Sequence, residues 1–424
     1  MGVEPISSFR LPVMMDSETT ALRERLRGLP GMELLRAAVE GLAPAFLVGG
    51  AVRDVLRGAS AADLDLAVEG DGRAAARAIA ARLGGEVVEH ERFETATVRA
   101  AGLAIDVAAT RRERYARPGA LPIVERASLA DDLIRRDFTI NAMAIGLSGD
   151  GYGRLHDPHG GLRDLDGRLV RVLHDGSFLD DPTRLLRAVR YEARLGFTLE
   201  ADSEALARAA VASGALDTVS GDRRRDELVD MLSGDQAPTA LRRLRELGID
   251  RALHPDLVAD PELVAATIAA CPITGADPAL ASLAALVAVD PEQLGRWLDD
   301  LRLGRDARDK ASRAVLSGPL IASALRQPLA PSSLHALLAP EPAEALALAL
   351  ALGAAVAPIV RYLSELRDVR LEVTGADLVA AGVRQSPAIG RALQETLRRK
   401  LDGDVCGRAA ELELALTLAG RADD

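Results

Sequence analysis

The sequence predicts an α/β head followed by an all-α remainder. Two textures carry that reading. Up to about residue 175, short β-branched or aliphatic runs alternate with helical stretches and glycine turns. From about residue 178 onward the periodicity is helical almost throughout, rich in Ala, Leu and Arg and broken by Pro and Gly. A chain of 424 residues, 48% hydrophobic and 27% charged, has the composition of a soluble globular protein with room for two to four domains.

In the first region the candidate strands are Ala45–Val48, Leu64–Val68, Glu86–Glu89, Thr95–Ala100, Leu103–Ala109 and Leu169–Val172. "TATVRA", "AG" and "LAIDVA" read together as a β-hairpin with Gly102 in its turn. In the second region the breaks fall at "LGF", "ASGAL", "ELGID", "HPDL", "CPITGADPAL", "QPLAPSSL" and "LAPEPAEA". The longest apolar run, Ala345 to Val360, is short of the roughly 18 or more residues of a spanning helix. A buried helix is the expectation there, and no membrane association. Neither an internal repeat nor a low-complexity linker is present.

Composition also bounds function. Two cysteines, Cys271 and Cys406, supply neither a disulfide framework nor a zinc signature. The N-terminal stretch lacks the basic start and apolar core of an export signal, so a cytoplasmic location is expected. A net charge of −11 gives no global electrostatic footprint for nucleic acid. Basic residues are instead local, in "TRRERYAR", "LIRRDF", "RLLRAVRYEAR" and "GDRRRDEL", and all but Lys310 and Lys400 are arginine. The guanidinium fork donates two parallel hydrogen bonds, which suits phosphates and base edges.

The chemistry-bearing residues sit early. In "DLDLAV", Asp63 and Asp65 are i and i+2 on a strand and project to one face while Leu64 faces the core. Two adjacent carboxylates repel unless a cation or a proton neutralises one, and a hard divalent ion such as Mg²⁺ takes carboxylate oxygens plus substrate phosphates. Asp106, in "LAIDVAAT", points away from its inward neighbours Ile105 and Val107 and can supply a third carboxylate for a two-metal site. Carboxylates so spaced are also common on exposed strand faces. "FLVGGAVRD" is a strand, a Gly49–Gly50 turn and a helix start, with Arg53 in its first turn. That arrangement lets backbone N–H groups approach a phosphate; an ordinary tight turn has the same sequence.

"LVGGAVRDVLRG" followed by "DLDLAV" resembles the first signature of the class II tRNA nucleotidyltransferases, the CCA-adding enzymes and their bacterial poly(A) polymerase relatives. Three further stretches match in order: "DLIRRDFTINAMAI" (132–145), "LHDPHGGLRDLDGRLVRVLH" (155–174) and "SFLDDPTRLLRAVRYEARLGF" (177–197). The resemblance covers residues 40 to 250 and implies a DNA polymerase β-like palm with a mixed sheet. A helical neck, body and tail follow. The expected domains are an N-terminal extension (1–31), a nucleotidyltransferase head (32–175), a nucleotide-recognition neck (176–255) and an RNA-binding body and tail (256–424).

The resemblance implies that Asp63 and Asp65 hold Mg²⁺, with Asp106 the third active-site carboxylate. It implies that Gly49, Gly50 and Arg53 contact the triphosphate, Arg136 binds nucleotide phosphates, and Asp137 and Asn141 lie near the ribose. Asp181 and Arg184, expected one turn apart on a helix, would read the base. A carboxylate accepts from the exocyclic amino group of C or A while a guanidinium donates to the ring nitrogen. G and U reverse that order. Arg187 and Arg190 continue along the helix toward the nucleotide. Asp180 stands where many relatives carry Glu. The segment between Asp106 and Arg135 resembles the family's flexible loop. The implied activity is template-independent addition of C and/or A from CTP and ATP to the tRNA 3′ end, with release of pyrophosphate. An A-adding-only enzyme, a poly(A) polymerase and an inactive RNA-binding relative are the competing readings. His156, His159 and His174 are expected to be structural or surface residues, and Trp297 and Cys271 to pack.

Overall fold

The computed structural model describes residues 16–59, 64–90, 95–255, 257, 260–286 and 291–420. Asp63 therefore lies outside the described residues. The chain divides into two compact units, one comprising residues 1–220 with 247–252 and the other residues 221–246 with 253–424.

The first unit is built on a mixed seven-stranded sheet. Its strands are β1 (Ala45–Val48), β2 (Leu64–Val68), β3 (Glu86–His90), β4 (Thr95–Ala100), β5 (Leu103–Ala109), β8 (Ala144–Gly146) and β9 (Leu155–His156), in the spatial order β3-β4-β5-β2-β1-β8-β9. Every pairing is antiparallel except β2 with β5, which is parallel. The expected hairpin is β4–β5. Its two turn residues, Ala101 (φ 51°) and Gly102 (φ 77°), are both left-handed, as the right-handed strand twist requires of a two-residue connection. Alternation works as expected along β5, where Ile105 and Val107 are fully buried and Asp106 is exposed.

Four short helices of this unit position the site: α3 (Gly50–Leu56), α4 (Gly72–Leu83), α5 (Leu129–Ile134) and α8 (Thr183–Leu195). Of these, α4 starts at Asp71, whose carboxylate accepts from the N–H of Ala74, and buries Ala75, Ala76, Ile79 and Ala80 against the sheet. The small side chains bring its backbone close. A Cβ on Gly72 would lie 2.5 Å from the nitrogen of Ala109 at the end of β5.

The structure adds strands that hydropathy does not reveal. β6 (Arg111–Arg114) and β7 (Ile123–Arg126) form a separate two-stranded ribbon in the segment expected as a flexible loop. "RRER" carries no apolar alternation, and its pairing is partly a charge match, Arg112 opposite Glu125. Leu169–Val172 shortens to β10 (Leu169–Val170), which pairs in parallel with β11 (Thr198–Leu199). The run Ala345–Val360 is not one helix. Ala343–Ala351 is a buried helix that stops before Gly353 (φ 96°), and Val356–Arg361 forms a second one.

The second unit is helical among its described residues. Helices Pro261–Thr274, Pro278–Ala285 and Ala343–Ala351 bury Cys271, Ala281 and Ala347 in one cluster, and Arg305–Ala324 packs against the last of them. Helices Gly375–Ala380, Pro387–Leu401 and Arg408–Gly420 enclose another around Leu378, Ala392 and Ala415. Trp297 is buried, as expected. No single helix among the described residues is long and apolar enough to cross a membrane.

The Gly72 contact is testable. Gly72→Ala forces a Cβ into the β5 backbone and is expected to destabilise the chain by about 1–3 kcal/mol. A lowered urea midpoint with unchanged slope would register this.

Candidate active site

Parallel pairing of β2 with β5 sets Asp65 directly opposite Asp106 in register. The antiparallel β4–β5 pairing sets Thr97 opposite Asp106 on the other side. Since neighbouring strands lie about 4.8 Å apart, residues in register on one face form a row across the sheet. Here the row runs Thr97, Asp106 and Asp65, and Gly49 follows directly after the last residue of the neighbouring strand β1. Gly49 is left-handed (φ 68°, ψ −135°), and a Cβ there would lie 3.0 Å from Arg136 Nη1 and 3.7 Å from Asp65 Oδ2. The glycine thus lets backbone, carboxylate and guanidinium meet at one point.

The row floors a cavity of about 330 Å³, whose lining includes Asp65, Asp106, Thr97 and His90 on the sheet and Arg111, Arg135, Arg136 and Asp132 opposite. Helix α5 supplies that wall. It begins in a capping box between Ser128 and Asp131 and ends at Ile134, so Arg135 and Arg136 follow its last turn. Both guanidinium groups fold back on Asp132, which is 1% exposed. Arg135 Nη2 reaches Oδ1 at 2.7 Å and Arg136 Nη2 reaches Oδ2 at 2.8 Å. Burial raises the Asp132 pKa, but the charges of Arg136 and Arg135 outweigh it and hold the carboxyl below its usual value.

Glu113 completes the wall. It accepts from Arg111 Nη2 (3.1 Å), Arg135 Nη1 (2.8 Å) and, through its other oxygen, the Tyr115 hydroxyl (3.0 Å). Three guanidinium groups thereby share two carboxylates, Asp132 and Glu113. Burial and the like charge of Arg135 press the Arg111 pKa below its ordinary value. The Nε of Arg136 is buried without a hydrogen-bond partner. Surplus positive charge and an orphaned donor suit an anion.

Behind the cavity runs a buried polar chain. Arg53, 2% exposed, donates to both oxygens of Asp54 (2.9 and 3.0 Å) and through Nη1 to Asn141 Oδ1 (2.8 Å). Asn141 Nδ2 donates to Asp137 Oδ1 (3.0 Å), and Asp137 Oδ2 accepts from Arg187 Nε and Nη2 (3.0 and 2.6 Å). Tyr191 lies beneath Arg53, Arg187 and Arg190, with guanidinium carbons 5.3, 5.7 and 5.7 Å from its ring centre. The chain ties α3 to α8 through the 3₁₀ turn Thr139–Asn141. Asp164, itself buried, holds that turn from below by accepting from Thr139 Oγ1 at 2.7 Å.

The pair expected to read a base is arranged differently from a helical i,i+3 pair. Asp181 is not on α8; it sits in extended conformation between the short helix Ser177–Asp180 and α8, because Pro182 disfavours helical backbone at the residue before it. Its Oδ1 accepts from the N–H and hydroxyl of Thr183. Arg184 is on α8 but 4% exposed, donating to the Ser177 hydroxyl and, at 2.7 Å, to the carbonyl of Arg135. That last bond anchors α8 to the guanidinium wall.

Of the expected site residues, the structure gathers Gly49, Asp65, Asp106 and Arg136 at the cavity, and Arg53, Asp137, Asn141, Arg187 and Arg190 in or on the chain behind it. Gly50 opens α3, with Arg53 Nη2 3.4 Å from where its Cβ would be. Sequence reasoning did not single out Thr97, His90, Asp132, Glu113, Tyr115 and Tyr191. Asp132 and Glu113 lay inside quoted motifs, and their abundance of arginine neighbours is the signal that marks them. Among the described residues no group of three His, Cys, Asp or Glu side chains is set to hold a metal. Asp65 and Asp106 are a two-carboxylate set of hard oxygen donors, and they fit a divalent ion once a further ligand is added.

Known proteins resemble this chain over nearly its whole length in fold and within its first 260 residues in family pattern. The family described as "Poly A polymerase head domain" matches residues 45–171, and that described as "Probable RNA and SrmB- binding site of polymerase A" matches residues 196–260. A solved structure of a CCA-adding enzyme in an apo form superposes with a TM-score of 0.77 at 30% identity, covering 95% of this chain and 96% of that one. The chain belongs to the tRNA nucleotidyltransferase and poly(A) polymerase family. An A-adding tRNA nucleotidyltransferase of Geobacter sulfurreducens is 36% identical over 401 residues, 89% of this chain and 46% of the relative. Another from Halalkalibacterium halodurans is 46% identical over 211 residues, 49% of each chain. The chain thus spans about half the length of these curated relatives. The family's mixed-sheet head and helical remainder are both present.

Asp137 gives a pH prediction. Burial raises its pKa, yet Arg187, Asn141 and Arg184 together lower it to about 2, against about 3.9 in an unfolded chain. A depressed carboxylate stabilises fully above its unfolded pKa and progressively less as pH falls through its folded one. The unfolding midpoint should therefore drop between about pH 4 and pH 2. Asp137→Asn should flatten that drop and cost about 2–3 kcal/mol at neutral pH by removing the charge that pairs with Arg187, both measured by denaturant titration across pH.

Proposed function

We propose that the protein is a template-independent tRNA nucleotidyltransferase that adds C and/or A from CTP and ATP to the tRNA 3′ end. The observation that carries the reading is the in-register carboxylate pair facing a wall of guanidinium groups. Carboxylates suit metal-bridged phosphate, and surplus arginine suits the polyphosphate. The names of the relatives support both nucleotides, two being A-adding tRNA nucleotidyltransferases and the superposed structure a CCA-adding enzyme.

In this reading Asp65 and Asp106 hold divalent cations, Mg²⁺ being the ion of choice, with Asp63 as a further ligand. When bound, such ions supply Lewis-acid stabilisation of charge on the reacting phosphate. Arg136 and Arg111 bind the triphosphate, and Gly49 and Gly50 let it approach the backbone. Arg53, Asn141 and Asp137 hold α3 and α8 in fixed relation, so that the phosphates and the base are presented together, with Arg187 and Arg190 along the nucleotide's side. Asp181 accepts from the exocyclic amino group of C or A. Arg184 donates to the ring nitrogen by exchanging one of its two present acceptors. Asp106 takes the proton of the attacking 3′ hydroxyl, and pyrophosphate departs along the arginine wall. We assign residues 32–175 to the catalytic head, 176–255 to the nucleotide-recognition neck and 256–424 to RNA binding, after an N-terminal extension of 1–31, and place the protein in the cytoplasm.

Purified protein with Mg²⁺, given each nucleotide separately, should add CMP or AMP to tRNA lacking all or part of CCA and then stop. Untemplated AMP tails on unrelated RNA would replace this reading with a poly(A) polymerase. RNA binding without incorporation would make it an inactive relative. Asp65→Asn should abolish incorporation.

A further inference from the structure

Two residues outside any recognised motif extend the carboxylate row. Thr97, on β4, donates from Oγ1 to Asp106 Oδ1 at 2.6 Å, and His90, at the end of β3, places Nε2 3.1 Å from the same Thr97 oxygen. Thr97 has one hydroxyl proton, and it goes to the carboxylate. Its oxygen can therefore only accept from His90, which fixes the imidazole with a proton on Nε2. The result is a directed chain, His90 Nε2–H to Thr97 Oγ1–H to Asp106. Both residues line the same cavity as Asp65 and Asp106.

The place of this chain in the row matters. Arg136 and Gly49 stand at one end, next to Asp65. In nucleotidyl transfer the leaving group and the nucleophile lie roughly in line on opposite sides of phosphorus. If the polyphosphate leaves along the arginine wall, the attacking hydroxyl arrives from the opposite end, where Thr97 and His90 are. A carboxylate on that side must be held in one orientation, because rotation about its Cβ–Cγ bond would misplace the oxygen facing the nucleophile. Thr97 fixes one oxygen, and His90 fixes the Thr97 rotor.

We propose that Thr97 and His90 are positioning residues that orient Asp106 for the attacking hydroxyl, a role that rests on the nucleotidyl-transfer reading. Neither forms a bond to substrate in this role; both act through Asp106. Groups behind a metal ligand typically alter affinity or activity about 10–100-fold when removed, and members of one chain are non-additive.

The test compares Thr97→Val, Thr97→Ser, His90→Ala and the Thr97→Val/His90→Ala double variant with the unaltered protein. Two measurements are made on the full chain. One is Mn²⁺ affinity by electron paramagnetic resonance in the presence of a non-hydrolysable CTP analogue. The other is kcat and KM for single-nucleotide addition. Thr97→Val should weaken Mn²⁺ binding and lower kcat by about 10-fold or more, with the nucleotide KM changed less than about 3-fold because the arginine wall is untouched. Thr97→Ser, which keeps the hydroxyl, should restore both. His90→Ala should have a smaller effect, and none when Thr97 is already Val. Thr97→Val with unaltered Mn²⁺ affinity and kcat overturns the proposal. So does Thr97→Ser behaving like Thr97→Val, or His90→Ala lowering kcat equally in both backgrounds. Should the unaltered protein transfer no nucleotide, the functional reading fails, while the Mn²⁺ measurement still decides whether the chain orients Asp106.

Discussion

The single parallel pairing in an otherwise antiparallel sheet is what the rest of the site depends on. Because β2 and β5 run the same way and in register, Asp65 and Asp106 stand side by side on one face. A one-residue slip between these strands would turn one carboxylate into the core and an apolar neighbour out. That register is held from beneath by Leu64, Leu66, Ile105 and Val107, all buried. Hydrophobic burial thereby enforces an electrostatically costly arrangement: two like charges brought close where only a cation makes their proximity favourable. The energy of the core is spent on placing the chemistry.

Everything around the pair answers its charge. Gly49 removes the side chain that would separate Asp65 from Arg136. Asp132 and Glu113 neutralise the arginine wall only in part and aim it, each holding two guanidinium groups. Farther back, the chain from Asp54 through Arg53, Asn141 and Asp137 to Arg187 joins three backbone segments with short, mostly charged hydrogen bonds. Such a network is worth having only when fully satisfied, since a stranded guanidinium or carboxylate in the interior is expensive. Its completeness explains why Arg53, a residue whose position beside the glycines implies phosphate contact, is nevertheless buried.

Legibility in the sequence followed the physics of each signal. The strands of the central sheet alternate or run apolar, and four of the six expected ones, Ala45–Val48, Leu64–Val68, Thr95–Ala100 and Leu103–Ala109, have the bounds the sequence indicates. The ribbon β6–β7 was hidden because its strands are mostly charged, bury little and show no apolar alternation on β6. The split of Ala345–Val360 turns on Gly353, whose left-handed backbone ends the helix, a local event that average hydropathy does not register. Spacing alone puts Asp181 on a helix, but the following Pro182 pushes its backbone to the extended region. His90 and Thr97 were invisible for a different reason: each is an ordinary strand residue until β4 sets Thr97 opposite Asp106 and β3 brings His90, opposite Thr95, within side-chain reach of Thr97.

The central claim is that Asp65 and Asp106 form one divalent-cation site opposite the arginine wall. Crystals grown with Mn²⁺ and CTP, with diffraction recorded at the manganese edge, test it directly. The account predicts an anomalous peak about 2.1 Å from a carboxylate oxygen of each aspartate, with the triphosphate density against Arg136. A manganese peak away from both carboxylates, or triphosphate bound on another face of the sheet, would contradict it.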